Sequence, residues 1–130
     1  MKSQALENLE SAQILINNHK YTSSVHCSYY AVFQYMKYML ATTSNNPIPF
    51  AQQDAHSGDS SHEYILLETK GRIHASPIKI RNFCEGVQNL KKDRVDADYH
   101  QKQFTVDESL ECKADADRLI TNLKTYFGNL

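Results

Sequence analysis

A chain of 130 residues, 41% apolar and with only four glycines and three prolines, has the make-up of one globular domain rather than of a disordered tail or a fibrous repeat. No run approaches the ~20 consecutive apolar residues of a membrane helix, and Met1 to Glu10 lacks the apolar core of a signal peptide, so a cytoplasmic protein with no membrane partner is expected. Cys27, Cys84 and Cys112 are odd in number and widely spaced, with no CxxC; this argues against a disulfide framework and a thiolate zinc site and leaves reduced, semi-buried thiols.

The first helix is expected over Ser3 to Asn17, where Ala5, Leu9, Ala12 and Ile16 draw one apolar stripe at period 3.6 and Asn17-Asn18 supplies a stop. A second should open near Thr22 or Ser23, either of which can cap it. Its stripe runs through Val25, Tyr29, Val32, Phe33, Met36, Met39 and Leu40, and Tyr30, Tyr35 and Tyr38 fall off it, so this helix should be central or at a subunit contact. Between Thr42 and Ser60 periodicity gives way to Ser, Asn, Gln, Gly, Pro47 and Pro49, a loop of roughly 18 residues, long enough to be functional or mobile. Ser60-Ser61-His62-Glu63 has the form of a capping box for a short third helix that ends near Lys70, with Gly71 as its stop.

Ser76-Pro77 reads as an N-cap followed by proline at the first helical position, where its missing N–H costs nothing. The fourth helix carries Ile80, Phe83, Val87 and Leu90 on one stripe, and the same spacing lands next on Arg94 and then Ala97. Thr105-Val106-Asp107-Glu108 is a second capping box, opening a last helix with Leu110, Ala114, Leu119, Ile120, Leu123 and Phe127 that ends at Gly128. No segment alternates with period two, so one all-α domain over 1–130 is expected, an antiparallel four- to five-helix bundle.

The net charge of −1 hides a polarity: Lys70 to Arg94 holds seven Lys or Arg, and Val95 to Asp117 holds seven Asp or Glu. Two solvated faces are the plain reading; a basic face that meets phosphates is the functional one. At the junction stands Arg94-Val95-Asp96-Ala97-Asp98-Tyr99-His100. A guanidinium on an apolar stripe needs a carboxylate, carbonyls or a phosphate, and Asp98, four residues on, is the structural partner within reach. The six histidines form no HExxH or close pair, the carboxylates show no ligand spacing, and neither GxxxxGK[ST] nor GxGxxG occurs, so no metal and no cofactor is expected.

The segments Ser28-Tyr29-Tyr30-Ala31-Val32-Phe33, Ser61-His62 and Arg94-x-x-Ala97-Asp98-Tyr99 before a terminal helix resemble the HEPN superfamily, most nearly its short stand-alone bacterial members, over about Gln4 to Phe127. The resemblance implies a HEPN-like bundle that pairs into a homodimer. Many such proteins are metal-independent ribonucleases in which an arginine and a histidine separated by four to six residues meet at the dimer cleft. Arg94 and His100 fit that spacing, Arg94 stabilising the phosphate in the transition state and His100 moving protons. Asp98, Tyr99, His62 and Lys91 are the accompanying binding residues. The residue after the arginine, often polar in active members, is Val95 here. An unbroken helix sets His100 about 120° round the axis from Arg94 (six residues at ~100° each), so the pair converges only if the helix bends or ends near Asp98, or if a second subunit contributes one of the two. The expectation is therefore a toxin-type endoribonuclease or, alternatively, a non-catalytic module that binds nucleotide, RNA or a protein such as a nucleotidyltransferase or antitoxin. A bundle that merely dimerises is the blandest reading.

Overall fold

The computed structural model describes residues 1–56 and 60–127 and is an all-α antiparallel bundle. Among the described residues six helices follow one another: α1 (Lys2–Asn17), α2 (Tyr21–Thr42), α3 (Phe50–Gln53), α4 (Ser60–Lys70), α5 (Pro77–Tyr99) and α6 (Val106–Tyr126). α2 touches every other helix, as its nearly all-round apolar surface requires. Its core-facing side chains include Val25, Tyr29, Val32, Met36 and Leu40, each 1% exposed or less.

The α1–α2 turn passes through His19 in the left-handed region (φ 62°), which lets the amides of Asn18, His19 and Lys20 bond carbonyls of the last turn of α1. α2 begins at Tyr21, earlier than expected, and takes no side-chain cap. The Thr22 hydroxyl instead accepts the amide of Phe104 at 3.1 Å, tying the α5–α6 connection to the head of α2.

The stretch expected as a long loop is a strap pinned at several points, and it contains the one-turn α3. The Ile48 amide bonds Leu40 O at 2.8 Å, and the amide of buried Gln53 donates to Ile48 O and Lys37 O. Arg72 holds the carbonyls of Asn45 and Asn46 from the far side. α4 opens at Ser60 with Glu63 in its first turn; the residue that precedes it lies outside the described residues, as does the expected stop at Gly128.

α5 starts as read: Ser76 Oγ accepts the Lys79 amide, Pro77 is the first helical residue, and Phe83, Val87, Leu90 and Arg94 are buried. α6 has the full capping box between Thr105 and Glu108. Its buried face corrects the expectation, however. Leu110 is 43% exposed and Ala114 is also exposed, while Ser109, Cys112 and Ala116 point inward ahead of Leu119, Ile120 and Leu123. The small inward side chains match a close approach of helices here. Across from Leu119 stands Gly86 of α5, where an added Cβ would come within 3.0 Å of a Leu119 methyl.

Candidate functional site

The chemistry-bearing residues gather where α2, α4 and α5 meet, around Arg94. The 3.6 period of α5 carries Arg94 onto the same face as Leu90 and Val87, so the side chain enters the bundle rather than solvent, and the residue is 6% exposed. Its guanidinium carbon lies 5.4 Å from the ring centres of Tyr29 and Tyr30 on α2, and 5.8 Å from that of Tyr99 on α5. Three aromatic faces thus offset part of the cost of burying the cation. Nη1 sits 3.6 Å from Oδ2 of Asp98, close enough for Coulomb attraction but beyond a good hydrogen bond, and Nε is buried with no hydrogen-bond partner among the described residues.

Asp98 is shared. The same Oδ2 accepts from Nδ1 of His26 at 2.7 Å, joining the end of α5 to the first half of α2. Asp98 also raises the pKa of the neighbouring Cys27 thiol, although burial does more. On the other side of the arginine, Tyr29 reaches α4: its hydroxyl lies 2.6 Å from Nδ1 of His62. Burial drives the Tyr29 pKa well above the ordinary phenol value, with the Arg94 cation opposing it, so the phenol keeps its proton. The pair is thus a neutral hydrogen bond on the tyrosine side, with the donor set by the His62 tautomer. His62 also stacks on Phe33, with ring centres 4.4 Å apart.

The residues expected at the site divide accordingly. Arg94, Asp98, Tyr99 and His62 come together in one cluster. His100 does not join them: it caps α5, its side chain is 64% exposed, and Nδ1 is held 2.9 Å from Asp96 Oδ1 one turn back. α5 stays helical through Tyr99, so the angular offset between Arg94 and His100 persists within one chain. Lys91 is half-buried on α5, and no described contact of the cluster involves it. The reading from sequence missed His26, which is 72 residues from Asp98. A signal was present, since His26 precedes Tyr29 and Tyr30 by three and four residues and so shares their helix face.

The thiols are poorly disposed to react. Burial raises the pKa of Cys27 and Cys84, and buried Cys112, which donates to Asp93 Oδ2 at 3.5 Å, is pushed up to about 12 by burial and by that carboxylate. Among the described residues no group of three or more His, Cys, Asp or Glu is placed to hold a metal ion, and no helix is long and apolar enough to cross a membrane.

Comparison with known proteins agrees with the architecture. The family model described as HEPN domain matches residues 1–126, and the chain belongs to the HEPN family. No curated protein matches it.

Proposed function

We propose that this HEPN domain is a binding module for phosphate-bearing ligands, nucleotide or RNA, with Arg94 as the recognising cation and no cleavage by the chain alone. The observation that carries this is the state of Arg94. It is buried, its Nε lacks an acceptor among the described residues, and its ion pair with Asp98 is loose, the carboxylate being bound more closely by His26. A buried donor without a partner is costly to keep, and an incoming phosphate oxygen supplies the missing acceptor. Tyr99, 70% exposed at the last turn of α5, is the most exposed of the three rings around the guanidinium and so the side from which a phosphate would approach.

A second reading is favoured by one feature, the exposed His100 six residues beyond Arg94. In it, two subunits face each other so that Arg94 of one chain and His100 of the other cleave RNA without metal. The two readings separate in one assay: purified protein with single-stranded RNA in EDTA, measured for both binding and cleavage, beside Arg94→Ala and His100→Ala. The binding reading expects salt-sensitive binding without cleavage, lost in Arg94→Ala and kept in His100→Ala. Cleavage abolished by either change would establish the nuclease. Absence of RNA and nucleotide binding at low salt would defeat both and leave a protein, such as a nucleotidyltransferase, as the ligand.

A further inference from the structure

Charged side chains four residues apart on a helix reach one another readily. In four such pairs of the described residues the charged atoms stand 2.8 to 3.0 Å apart: Glu68 with Arg72, Arg81 with Glu85, Asp96 with His100 and Lys113 with Asp117. Arg94 and Asp98 have the same spacing and stay at 3.6 Å. Spacing therefore does not explain the gap.

The difference lies in what else the carboxylate holds. Oδ2 of Asp98 accepts from Nδ1 of His26 on α2 at 2.7 Å, whereas among the described residues the carboxylates of Glu68, Glu85, Asp96 and Asp117 have no side-chain partner on another helix. A bond that short to an ionised acceptor is a strong one, and it draws the oxygen towards α2. His26 is fixed in turn, since its ring centre lies 4.6 Å from that of Tyr30, the same ring that flanks the Arg94 guanidinium.

We infer that His26 is a positioning residue of the Arg94 site: it holds Asp98 off the guanidinium and so keeps the site from closing on itself. The role rests on the reading of Arg94 as the cation that recognises phosphate. Asp98 is the anion already in place, and a phosphate competes with it for Arg94. While His26 satisfies the carboxylate from α2, that competition favours the phosphate. Without His26 the carboxylate turns to its own helix, closes to the 2.8 to 3.0 Å of the other pairs and takes up a donor of the guanidinium.

Affinity of the full chain for a fluorescent oligouridylate at low salt, read by anisotropy, tests this, with far-UV circular dichroism showing which variants are folded. His26→Ala should bind roughly tenfold more weakly than wild type, because a charged hydrogen bond within the chain replaces one to the ligand. His26→Asn, whose amide can donate to Asp98 much as Nδ1 does, should recover most of that loss. Asp98→Asn keeps an acceptor for His26 but removes the competing charge, and should bind roughly two- to fivefold more tightly than wild type. The decisive variant combines His26→Ala with Asp98→Asn and should bind at least as well as wild type. A histidine that merely braced α2 against α5, or that itself touched the phosphate, could not be replaced by a second change at its partner. A double variant as weak as His26→Ala, or His26→Ala with wild-type affinity, overturns the proposal. If His26→Ala does not fold, Asp98→Asn decides alone: affinity no higher than wild type overturns it. Arg94→Met in the same series separates the two levels. Wild type that does not bind, or Arg94→Met that binds as wild type does, defeats the Arg94 reading and this role with it; weak binding by Arg94→Met beside an unrescued double variant defeats the role of His26 alone.

Discussion

Two arginines of nearly equal burial, Arg72 and Arg94, are treated by this fold in opposite ways. The Arg72 side chain is 12% exposed and that of Arg94 is 8%. Arg72 has a full set of acceptors: Nε to Asn45 O and Asn46 O, Nη2 to Asn46 O, and Nη1 to both the carbonyl and the carboxylate of Glu68, none longer than 3.1 Å. It stitches the strap to the end of α4, and each of its three nitrogens has an acceptor. Arg94 has three tyrosine rings, a carboxylate at 3.6 Å and an Nε without a partner. Burial alone therefore does not make an arginine structural; a closed set of hydrogen bonds does.

The contrast is sharpest in substitutions. Arg94→Ala leaves Asp98 without its cation and a hole among Tyr29, Tyr30 and Tyr99, and should lower unfolding free energy by about 3 kcal/mol, whereas Arg94→Met, which fills the space and removes the charge, should be near neutral. Urea denaturation of both variants checks this, and a large loss in Arg94→Met would mean that the cation itself holds the fold. Arg72→Ala breaks charge-assisted bonds with no aromatic compensation and should cost about 2 kcal/mol. That loss should be concentrated in the strap, read as faster hydrogen exchange at the Ile48 amide. Tyr29→Phe removes one hydrogen bond to His62 while keeping the ring over Arg94, at a cost of about 1 kcal/mol.

The smallest effect has the opposite sign. Burial raises the pKa of Asp93 above the ordinary 3.8, with Cys112 and Lys102 opposing, so the carboxylate is less favourable in the folded state than in the unfolded chain. A raised folded pKa gives stability that is present below the unfolded value and is lost as pH rises through the folded one. At neutral pH the penalty is therefore in force, and Asp93→Asn should raise the melting temperature slightly. The gain should fade as pH falls through the raised pKa towards 3.8.

What could be read from sequence followed from local rules. The α5 stripe was legible because Ser76-Pro77 fixes its start and three-and-four spacing then forces Arg94 inward. The first half of α6 was misread because Ser109, Cys112 and Ala116 are small, and their burial depends on how closely neighbouring helices approach, which hydropathy does not report. Thr22 looked like a cap but receives Phe104 N from 82 residues away, and His26 finds Asp98 across 72. Such long-range polar pairings leave no periodic trace. The strap was read as a loop because its order comes from carbonyls accepting Arg72 and Gln53, and backbone acceptors are present in every sequence.

On the proposed reading, the unpaired Nε of buried Arg94 is kept for a phosphate oxygen. This is tested most directly by the affinity for single-stranded RNA, followed by fluorescence anisotropy from low to moderate salt, for wild type beside the folded Arg94→Met variant. Loss of a charged hydrogen bond of about 1.5–3 kcal/mol predicts roughly 10- to 150-fold weaker binding and a shallower salt dependence in Arg94→Met. Equal affinity and equal salt dependence in the two proteins would contradict the account.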